Sequence, residues 1–466
     1  MVEERVKKIF VDVPILKAIR IMALPTIMSQ IIVLLYNLAD TFFIGKTNNP
    51  FMVAGASLIL PVFNICSSIA GLAGVGGGAL ISRLLGEKRE DEARRVSSYS
   101  LYLSLIISLI FSILTFVFMT PLLHLLGASD NTFLYAKQYA ICVIVFGAIP
   151  TVLSNVMSNL LRSAGISREA GFGIMLGGIL NIFLDPLFMF VILPEGKEIL
   201  GAGIATLLSN IISCIYFFIV ILISKKSRVI SFSLKNGLPS RKSILSIFNV
   251  GIPSAVTILL FDLDYIIIDK LMANYDDIAL AAIGIVLKAE RLPLNVGVGI
   301  CQGMMPIIAY NYSTKNQKRI NDTIKYSLLI GLIVGVFSIC LYELTAKSII
   351  NIFISESQTI HLGTNFLRVR ILATPLMFGS FFTVHVFQGF GEGNVALFLG
   401  IMRWLVFNIP MLFILNALFK MYGIVWGQVC GDLLTVSLSL IVYKLYMKKK
   451  QFELASNNDI VFENKN

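Results

Sequence analysis

The sequence predicts an all-α membrane protein with twelve transmembrane helices, arranged as two six-helix lobes that are related by a parallel repeat. The first supporting observation is composition: 56% of the 466 residues are hydrophobic and 14% are charged, whereas about 25% are charged in soluble domains. The second is that apolar segments long enough to cross about 30 Å of hydrocarbon, which takes ~20 residues, recur along the whole chain. The third is that the second half of the chain repeats the first. We therefore expect the lipid bilayer to cover part of the apolar surface.

The predicted transmembrane segments follow one another closely. The longest polar stretch between them, residues 225–243, is too short for a soluble domain, and we assign it as a linker. The segments cover residues 17–43, 52–82, 97–121, 136–161, 169–193, 200–223, 245–271, 279–311, 323–343, 363–390, 395–417 and 421–446.

Basic residues in the loops predict the orientation. Clusters of Lys and Arg lie at 5–8, 88–95, 225–242, 315–319 and 448–450, all on one side of the predicted membrane. The other side has only the scattered lysines Lys46, Lys197, Lys347 and Lys420. Because basic loops remain in the cytoplasm, both termini are predicted to be cytoplasmic. An even number of helices requires the same arrangement, and we expect a multi-pass protein of the cell (inner) membrane.

The two halves share a series of short matches. Residues 23–26, Ala-Leu-Pro-Thr, correspond to residues 251–254, Gly-Ile-Pro-Ser, at a spacing of about 228 residues. Further matches follow in the same order along both halves. Six helices per half give both halves one orientation, which is typical of transporters whose lobes rock against each other. The predicted units are an N-terminal lobe (1–224), a linker (225–243), a C-terminal lobe (244–447) and a cytoplasmic tail (448–466).

Ionisable groups at membrane depth are costly, and each is therefore a functional candidate. In the first half these are Asp40 and Asp185, with Asn37 and Asn181 one helical turn before them. Asp185 is predicted to lie ~12 Å, and Thr206 ~9 Å, from the outer ends of their helices. These oxygen groups suit Na⁺, and a carboxylate pair also suits a proton. The alternative is a structural cluster of hydrogen bonds that ties the helices together.

The second half carries a different set of charges. These are Asp262, Asp264 and Asp269 in predicted helix 7, and Lys288, Glu290 and Arg291 in predicted helix 8. Asp262 and Lys288 lie at comparable depth, ~11 to 14 Å below the outer ends, which would allow a neutralised pair. Alternatively, some of these acids face a cavity and attract cationic substrates.

Two further residues are candidates for the substrate path. His385, in predicted helix 10, either relays protons or is only hydrogen-bonded. Pro25 removes a backbone hydrogen bond and predicts a bend in helix 1. That bend is either a hinge that moves Asn37 and Asp40 or a fixed kink.

Several function classes are excluded or disfavoured. Gly45-Lys46-Thr47 looks like the end of a P-loop, but Asp40 stands where the earlier glycine is required. We therefore expect an ion gradient or the substrate's own gradient to supply the energy. No nucleophile–base pattern indicates an enzyme. The net charge of +11 lies in the loops and does not indicate a nucleic-acid partner.

Four motifs together resemble the multidrug and toxic compound extrusion (MATE) family. The residues that carry the resemblance are Asn37, Asp40, Ile44 and Gly45; residues 161–165 (Leu-Arg-Ser-Ala-Gly); Asn181, Asp185 and Pro186; and Gln302, Gly303, Pro306 and residues 310–312 (Tyr-Asn-Tyr). The resemblance extends from about residue 15 to residue 446. It implies two six-helix lobes that open as a V, and export of amphipathic, often cationic compounds in exchange for Na⁺ or H⁺.

The resemblance also implies site residues. The first-lobe cation site of the family maps onto Asp40, Asn181, Asp185 and Thr206. Tyr36, beside Asn37 in the same motif, is a candidate for the substrate cavity or its gating. The second-lobe acid pair of one branch does not map onto this chain, because Phe261 stands where that branch has a glutamate. We therefore place the coupling ion in the first lobe, and expect no cofactor besides Na⁺ or H⁺.

The sequence leaves other functions to compare with export of drugs or metabolites. A flippase of lipid-linked sugars, in a related branch, would favour a strongly cationic cavity to meet phosphates, but the first-lobe charges are acidic. A channel or receptor is disfavoured by the internal repeat and the paired carboxylates. We expect small amphipathic or cationic molecules as substrates, and a monomer.

Overall fold

The computed structural model describes residues 2–223, 229–233, 235 and 237–463. Helices dominate this part of the chain, and most of them are long enough to cross a bilayer. The first ten membrane-spanning helices are α1 (Ile15–Gly45), α2 (Pro50–Gly86), α3 (Glu90–Val117), α4 (Asp130–Phe146 and Ala148–Ser163), α5 (Ser167–Ile192), α6 (Glu198–Ile223), α7 (Arg241–Ala273), α8 (Asp277–Ser313), α9 (Gln317–Phe353) and α10 (Ser357–Ile371 and Thr374–Phe390).

The last two spans form one continuous helical run, Gly393–Lys450. This run is broken at Lys420, whose φ of 53° and ψ of −140° are not helical. Residues 393–419 therefore form α11, and residues 421–450 begin α12, which continues as helix to Glu463. The break confirms the predicted boundary between helices 11 and 12. Much of the predicted tail, 448–463, continues α12.

Two of the twelve spans in the described residues are sharply bent. The halves of α4 meet at 46° beside Gly147, and the halves of α10 meet at 45°. Both bends lie at the same position in their half of the chain, since α4 and α10 are repeat partners. Pro25, at which the sequence predicts a bend, lies inside α1. The helix is continuous through this proline.

Each lobe has a buried core, and the core of the first lobe also takes in Ile247, Ile307 and Tyr310 of the second half. In the first half, α5 lies against α1, α4 and α6. In the second half, α8 lies against α9 and both parts of α10, and α7 packs against α11. Apolar side chains on the outer surface, such as Phe183 and Leu344, which are 69% and 86% exposed, are suited to contact with lipid.

The lobes meet where α1 and α2 pack against α7 and α8, chiefly in the pairs α1–α8, α2–α7 and α2–α8. The glycine-rich segment of α2 forms part of this boundary, since a Cβ on Gly251 of α7 would collide with the Leu72 carbonyl. A Cβ on Gly303 of α8 would stand 2.5 Å from Cα of Ala23. Glycine thus allows the two backbones to approach closely, as is common between membrane helices.

The linker between the lobes is described in part. Lys225, Lys226 and Arg228, which the orientation argument used, lie outside the described residues. The following segment lies against α3, where Ser98 Oγ donates to the Ser231 carbonyl at 2.8 Å.

Candidate cation and substrate site

A polar cluster joins α5 and α6 inside the first lobe. Asn181 Nδ2 donates to Asp185 Oδ1 and to Thr206 Oγ1, both at 3.2 Å. All three side chains are buried, and Asp185 is 0% exposed. The i, i+4 spacing puts Asn181 and Asp185 on one face of α5, and this face points toward α6.

Asp40 lies beside this cluster on α1. Tyr139 of α4 donates to its Oδ2 atom at 3.2 Å. The carboxylates of Asp40 and Asp185 are close enough for their charges to interact. Two acids in such a position repel each other when both are ionised, so a bound cation or proton stabilises the pair.

Three buried oxygen atoms in this group have no hydrogen-bond donor among the described residues. They are Asp40 Oδ1, Asn181 Oδ1 and Asp185 Oδ2. Unpaired buried oxygens are unfavourable unless something compensates them. Carboxylate and amide oxygens are also the ligands that hard cations prefer. The residues therefore fit a Na⁺ ion or a proton.

A cavity of about 100 Å³ opens next to these residues. Tyr36 of α1, Asn155 of α4, Asn181 and Thr206 are among its lining residues. The cavity has mixed polar and apolar walls, and it lies between Asn181 of the cluster and the face of α4 that carries Asn155.

The second lobe contains a larger network of buried charges. Arg370 of α10 makes two hydrogen bonds of 2.8 Å with Glu290 of α8, through Nε and Nη2. Arg403 of α11 lies 2.9 Å from Asp432 of α12. Asp264 of α7 is 0% exposed, and its charge interacts with both arginines.

The MatE family model matches residues 25–187 and again residues 253–414. The chain belongs to the MATE family. The two matches begin 253 − 25 = 228 residues apart, which confirms the repeat that the sequence predicted. The twelve-helix, two-lobe MATE fold is likewise confirmed.

Relatives cover almost the whole MATE chain. Multidrug export protein MepA of Staphylococcus haemolyticus is 31% identical, over 94% of this chain and 95% of that protein. MepA of Staphylococcus aureus strain N315 is 30% identical, over 93% and 94%. A MATE crystal structure in complex with MaL6 has a TM-score of 0.88 and 25% identity, over 95% and 98%. A MOP superfamily transporter from Pyrococcus furiosus has a TM-score of 0.85 and 25% identity, over 94% and 97%.

The structure places the predicted first-lobe residues as follows. Asp40, Asn181, Asp185 and Thr206 come together in this MATE chain. Asn37 is exposed, and within the described residues no hydrogen bond joins it to Asp40. Its expected contribution to the cluster therefore has no geometric support.

The predicted pairing in the second lobe is wrong in its partners. Asp262 interacts with Arg291 and with Asn64 of α2, while Lys288 is exposed and interacts with Asp269. The prediction relied on depth alone, and depth does not determine which face of a helix a side chain occupies. Glu290 is paired with Arg370, so it does not face an open cavity as a free acid.

Sequence reasoning missed Tyr139, Arg162, Arg370, Arg403 and Asp432. The last three are ionisable residues inside predicted helices 10, 11 and 12. The depth criterion that selected Asp40 would have selected them too. His385 Nδ1 contacts the Phe381 carbonyl at 2.8 Å, and the ring lines a small cavity together with Arg162.

Proposed function

We propose that this MATE protein exports amphipathic, cationic drugs or metabolites from the cell in exchange for Na⁺ or H⁺. The MepA relatives are named multidrug export proteins, and we extend that activity to this chain. The proposal places the protein in the cell membrane with both termini in the cytoplasm, as a transporter and not an enzyme. One observation carries it: Asp40, Asn181 and Asp185 each hold a buried oxygen atom that has no donor in the part of the chain that the structure describes.

In this proposal, the coupling ion and the substrate compete for the same two carboxylates. One Na⁺ or H⁺ bound by Asp40, Asn181, Asp185 and Thr206 neutralises one of the two carboxylate charges and so weakens the attraction for a cationic substrate. Release of that ion restores the negative charge beside the cavity. Exchange then follows because each ligand lowers the affinity for the other.

The test is dye efflux from proteoliposomes under an imposed Na⁺ gradient and, separately, an imposed proton gradient. Ethidium, a lipophilic cation, is a suitable dye. We expect one of the two gradients to drive export, and Asp40→Asn to abolish it because the variant removes one charge from the pair. Asp91→Asn, on the exposed start of α3, is the matched control and should export normally.

Two results would contradict the proposal. One is gradient-driven efflux at the wild-type rate in a correctly folded Asp40→Asn protein. The other is dye movement that neither gradient accelerates, which would favour a channel. Transport of a lipid-linked sugar without dye export would favour the flippase alternative.

A further inference from the structure

A short helical segment ahead of α1 is packed into the boundary between the lobes. It is helical over Val2–Lys7 and Lys8–Asp12, and residues 2–13 are called the leading segment below. Its side chains Val6 and Phe10 are 1% and 0% exposed. They belong to the same buried apolar cluster as side chains from both halves of the chain.

On the first-lobe side, the leading segment contacts the end of α4. Arg5 Nη2 donates to the Gly165 carbonyl at 3.0 Å. Side-chain atoms of Val6, Ile9 and Phe10 lie 3.7 to 3.9 Å from the place that a Cβ on Gly165 would take. This contact is therefore mainly apolar, with one hydrogen bond.

On the second-lobe side, the contact is mainly polar. The Phe10 carbonyl accepts from Asn311 Nδ2 of α8 and from Arg319 Nε of α9, both at 3.0 Å. Arg319 Nη2 also donates to the Val13 carbonyl at 2.6 Å. The Phe10 ring meets Tyr310 edge-on, with the ring centroids 5.5 Å apart. The second lobe thus holds the backbone of the leading segment at two carbonyl groups.

The repeat shows a reciprocal contact. Ser240, directly before α7, donates its backbone N–H to Glu92 of α3 at 2.9 Å. At the repeat spacing, Arg319 of α9 corresponds to residue 91 of α3 (319 − 228 = 91), one residue from Glu92. The linker reaches the other lobe because it joins the two lobes. The leading segment runs into α1 of its own lobe, and that connection does not require a contact with α9.

The leading segment lies where the lobes meet at the end that is predicted to be cytoplasmic. The lobes are in contact here, since a Cβ on Gly86 of α2 would collide with Ser313 Oγ of α8. If the lobes rock as rigid units, opening this end moves the end of α4 away from α8 and α9. The leading segment cannot then keep its contacts with both Gly165 and Arg319.

We propose that the leading segment is a clasp, which stabilises the conformation that is closed on the cytoplasmic side and releases Asn311 and Arg319 when that side opens. The contacts to the second lobe are the ones released, because α1 ties the segment to the first lobe. This inference rests on the proposed export function, since alternation between two openings is what requires a releasable contact.

The test follows both ends of the molecule with spin labels, in a background whose six native cysteines are replaced by alanine. The near pair, Arg168→Cys and Lys318→Cys, lies at exposed positions of the two lobes on the side of the leading segment. The far pair, Asn131→Cys and Gln358→Cys, lies at exposed positions at the other ends of α4 and α10. Double electron–electron resonance measures both distances in purified full-length protein in phosphatidylcholine nanodiscs, without dye or ion gradient.

In the wild type we expect short near-pair distances and long far-pair distances. Arg319→Met keeps the length of the side chain but removes both hydrogen bonds to the leading segment. It should raise the ratio of long to short near-pair distances at least about fivefold, while the far-pair distances become shorter. Phe10→Ala should shift both pairs in the same directions, because it removes the buried ring. Lys8→Gln is the control, since Lys8 is exposed on the same segment, and it should leave both distances unchanged.

The opposite shifts of the two pairs distinguish a clasp from ordinary packing. A broader near-pair distribution with an unchanged far pair would overturn the proposal, as would unchanged distances in Arg319→Met. If Phe10→Ala does not fold, Arg319→Met decides alone, because Arg319 is only partly buried and its substitution opens no core cavity. The distances require no coupling ion, so failure here is distinguishable from failure of gradient-driven efflux.

Discussion

The two lobes repeat one fold but treat buried charge in opposite ways. In the second lobe, Glu290 and Asp432 each face an arginine at 2.8 to 2.9 Å. In the first lobe, Asp40 is held by a tyrosine and Asp185 by an amide. Among the described residues, Arg162 also has only neutral hydrogen-bond partners.

This difference separates carboxylates whose charge is already neutralised by an arginine from carboxylates that can still bind a cation. A carboxylate that makes two hydrogen bonds with a guanidinium has no strong reason to bind a further cation. The first-lobe acids retain oxygen atoms that no described residue contacts as a donor, and these oxygens can bind a cation. Asp264 is the exception in the second lobe, since neither of its oxygens has a donor among the described residues; the two nearby arginines offset its charge.

The largest effect on export should come from substitutions that remove a carboxylate from the first-lobe pair. Asp40→Asn and Asp185→Asn should each abolish ion-driven dye efflux, because one remaining carboxylate no longer forms the site. The double variant should then be no worse than either single variant. Transport rates of all three proteins in the same proteoliposome assay measure this.

The double variant also shows when the idea of a shared site is wrong. Partial losses that multiply in the double variant would mean that the two acids act independently. Thr206→Ser is a conservative check, since it retains the hydroxyl near Asn181 and should keep most of the activity.

The next prediction concerns the free energy of unfolding. It compares Arg370 in the second lobe with Arg162 in the first. Arg370→Gln leaves Glu290 buried without its cation and should lower the free energy of unfolding by about 3–5 kcal/mol. Arg162→Gln leaves no carboxylate behind, so its effect should be about 1 kcal/mol or less. Thermal unfolding in one detergent gives both values.

The exposed pair between Arg368 and Glu343, at 3.4 Å, provides the surface control. Arg368→Gln should cost about 0–1 kcal/mol, as is usual for exposed ion pairs. Equal destabilisation by Arg370→Gln and Arg162→Gln would remove the distinction between the lobes.

The fold could be predicted from the sequence because its apolar segments are long and its short motifs recur in both halves. Long apolar segments predict spans, and the matches 228 residues apart predict the two lobes. Exact ends were less accurate: α9 extends to Phe353, ten residues beyond the predicted end. Polar residues in the last turns of a span do not end the helix, although they end the apolar pattern.

The candidate site was predicted unevenly, for a physical reason. Asn181 and Asp185 share a helix face, and their joint position follows from helical periodicity alone. The partners of Asp262 and Glu290 depend on how separate helices rotate against each other. Hydropathy gives the depth of a residue but not this rotation, which is why Arg370 was not recognised as the partner of Glu290.

The smallest expected effect concerns the prolines that the repeat places in equivalent positions, Pro25 in α1 and Pro253 in α7. Pro25 packs tightly against α5, since a Cβ on Gly171 would stand 2.5 Å from the Pro25 carbonyl oxygen. If α1 bends during the cation cycle, Pro25→Ala should stiffen it by restoring a backbone donor. One backbone hydrogen bond is worth about 0.5–1.5 kcal/mol, so export should slow about two- to tenfold. Substrate affinity should stay unchanged.

The comparison with Pro253→Ala decides whether this hinge belongs to the first lobe. Since the ion is placed beside α1, Pro253→Ala should change the export rate less than Pro25→Ala does. Affinity and rate are measured on the same purified preparation. An unchanged rate in Pro25→Ala would end the hinge hypothesis. Parallel losses of affinity and rate would instead assign Pro25 to the packing of α1 against Gly171, because a local packing defect disturbs the site before any movement begins.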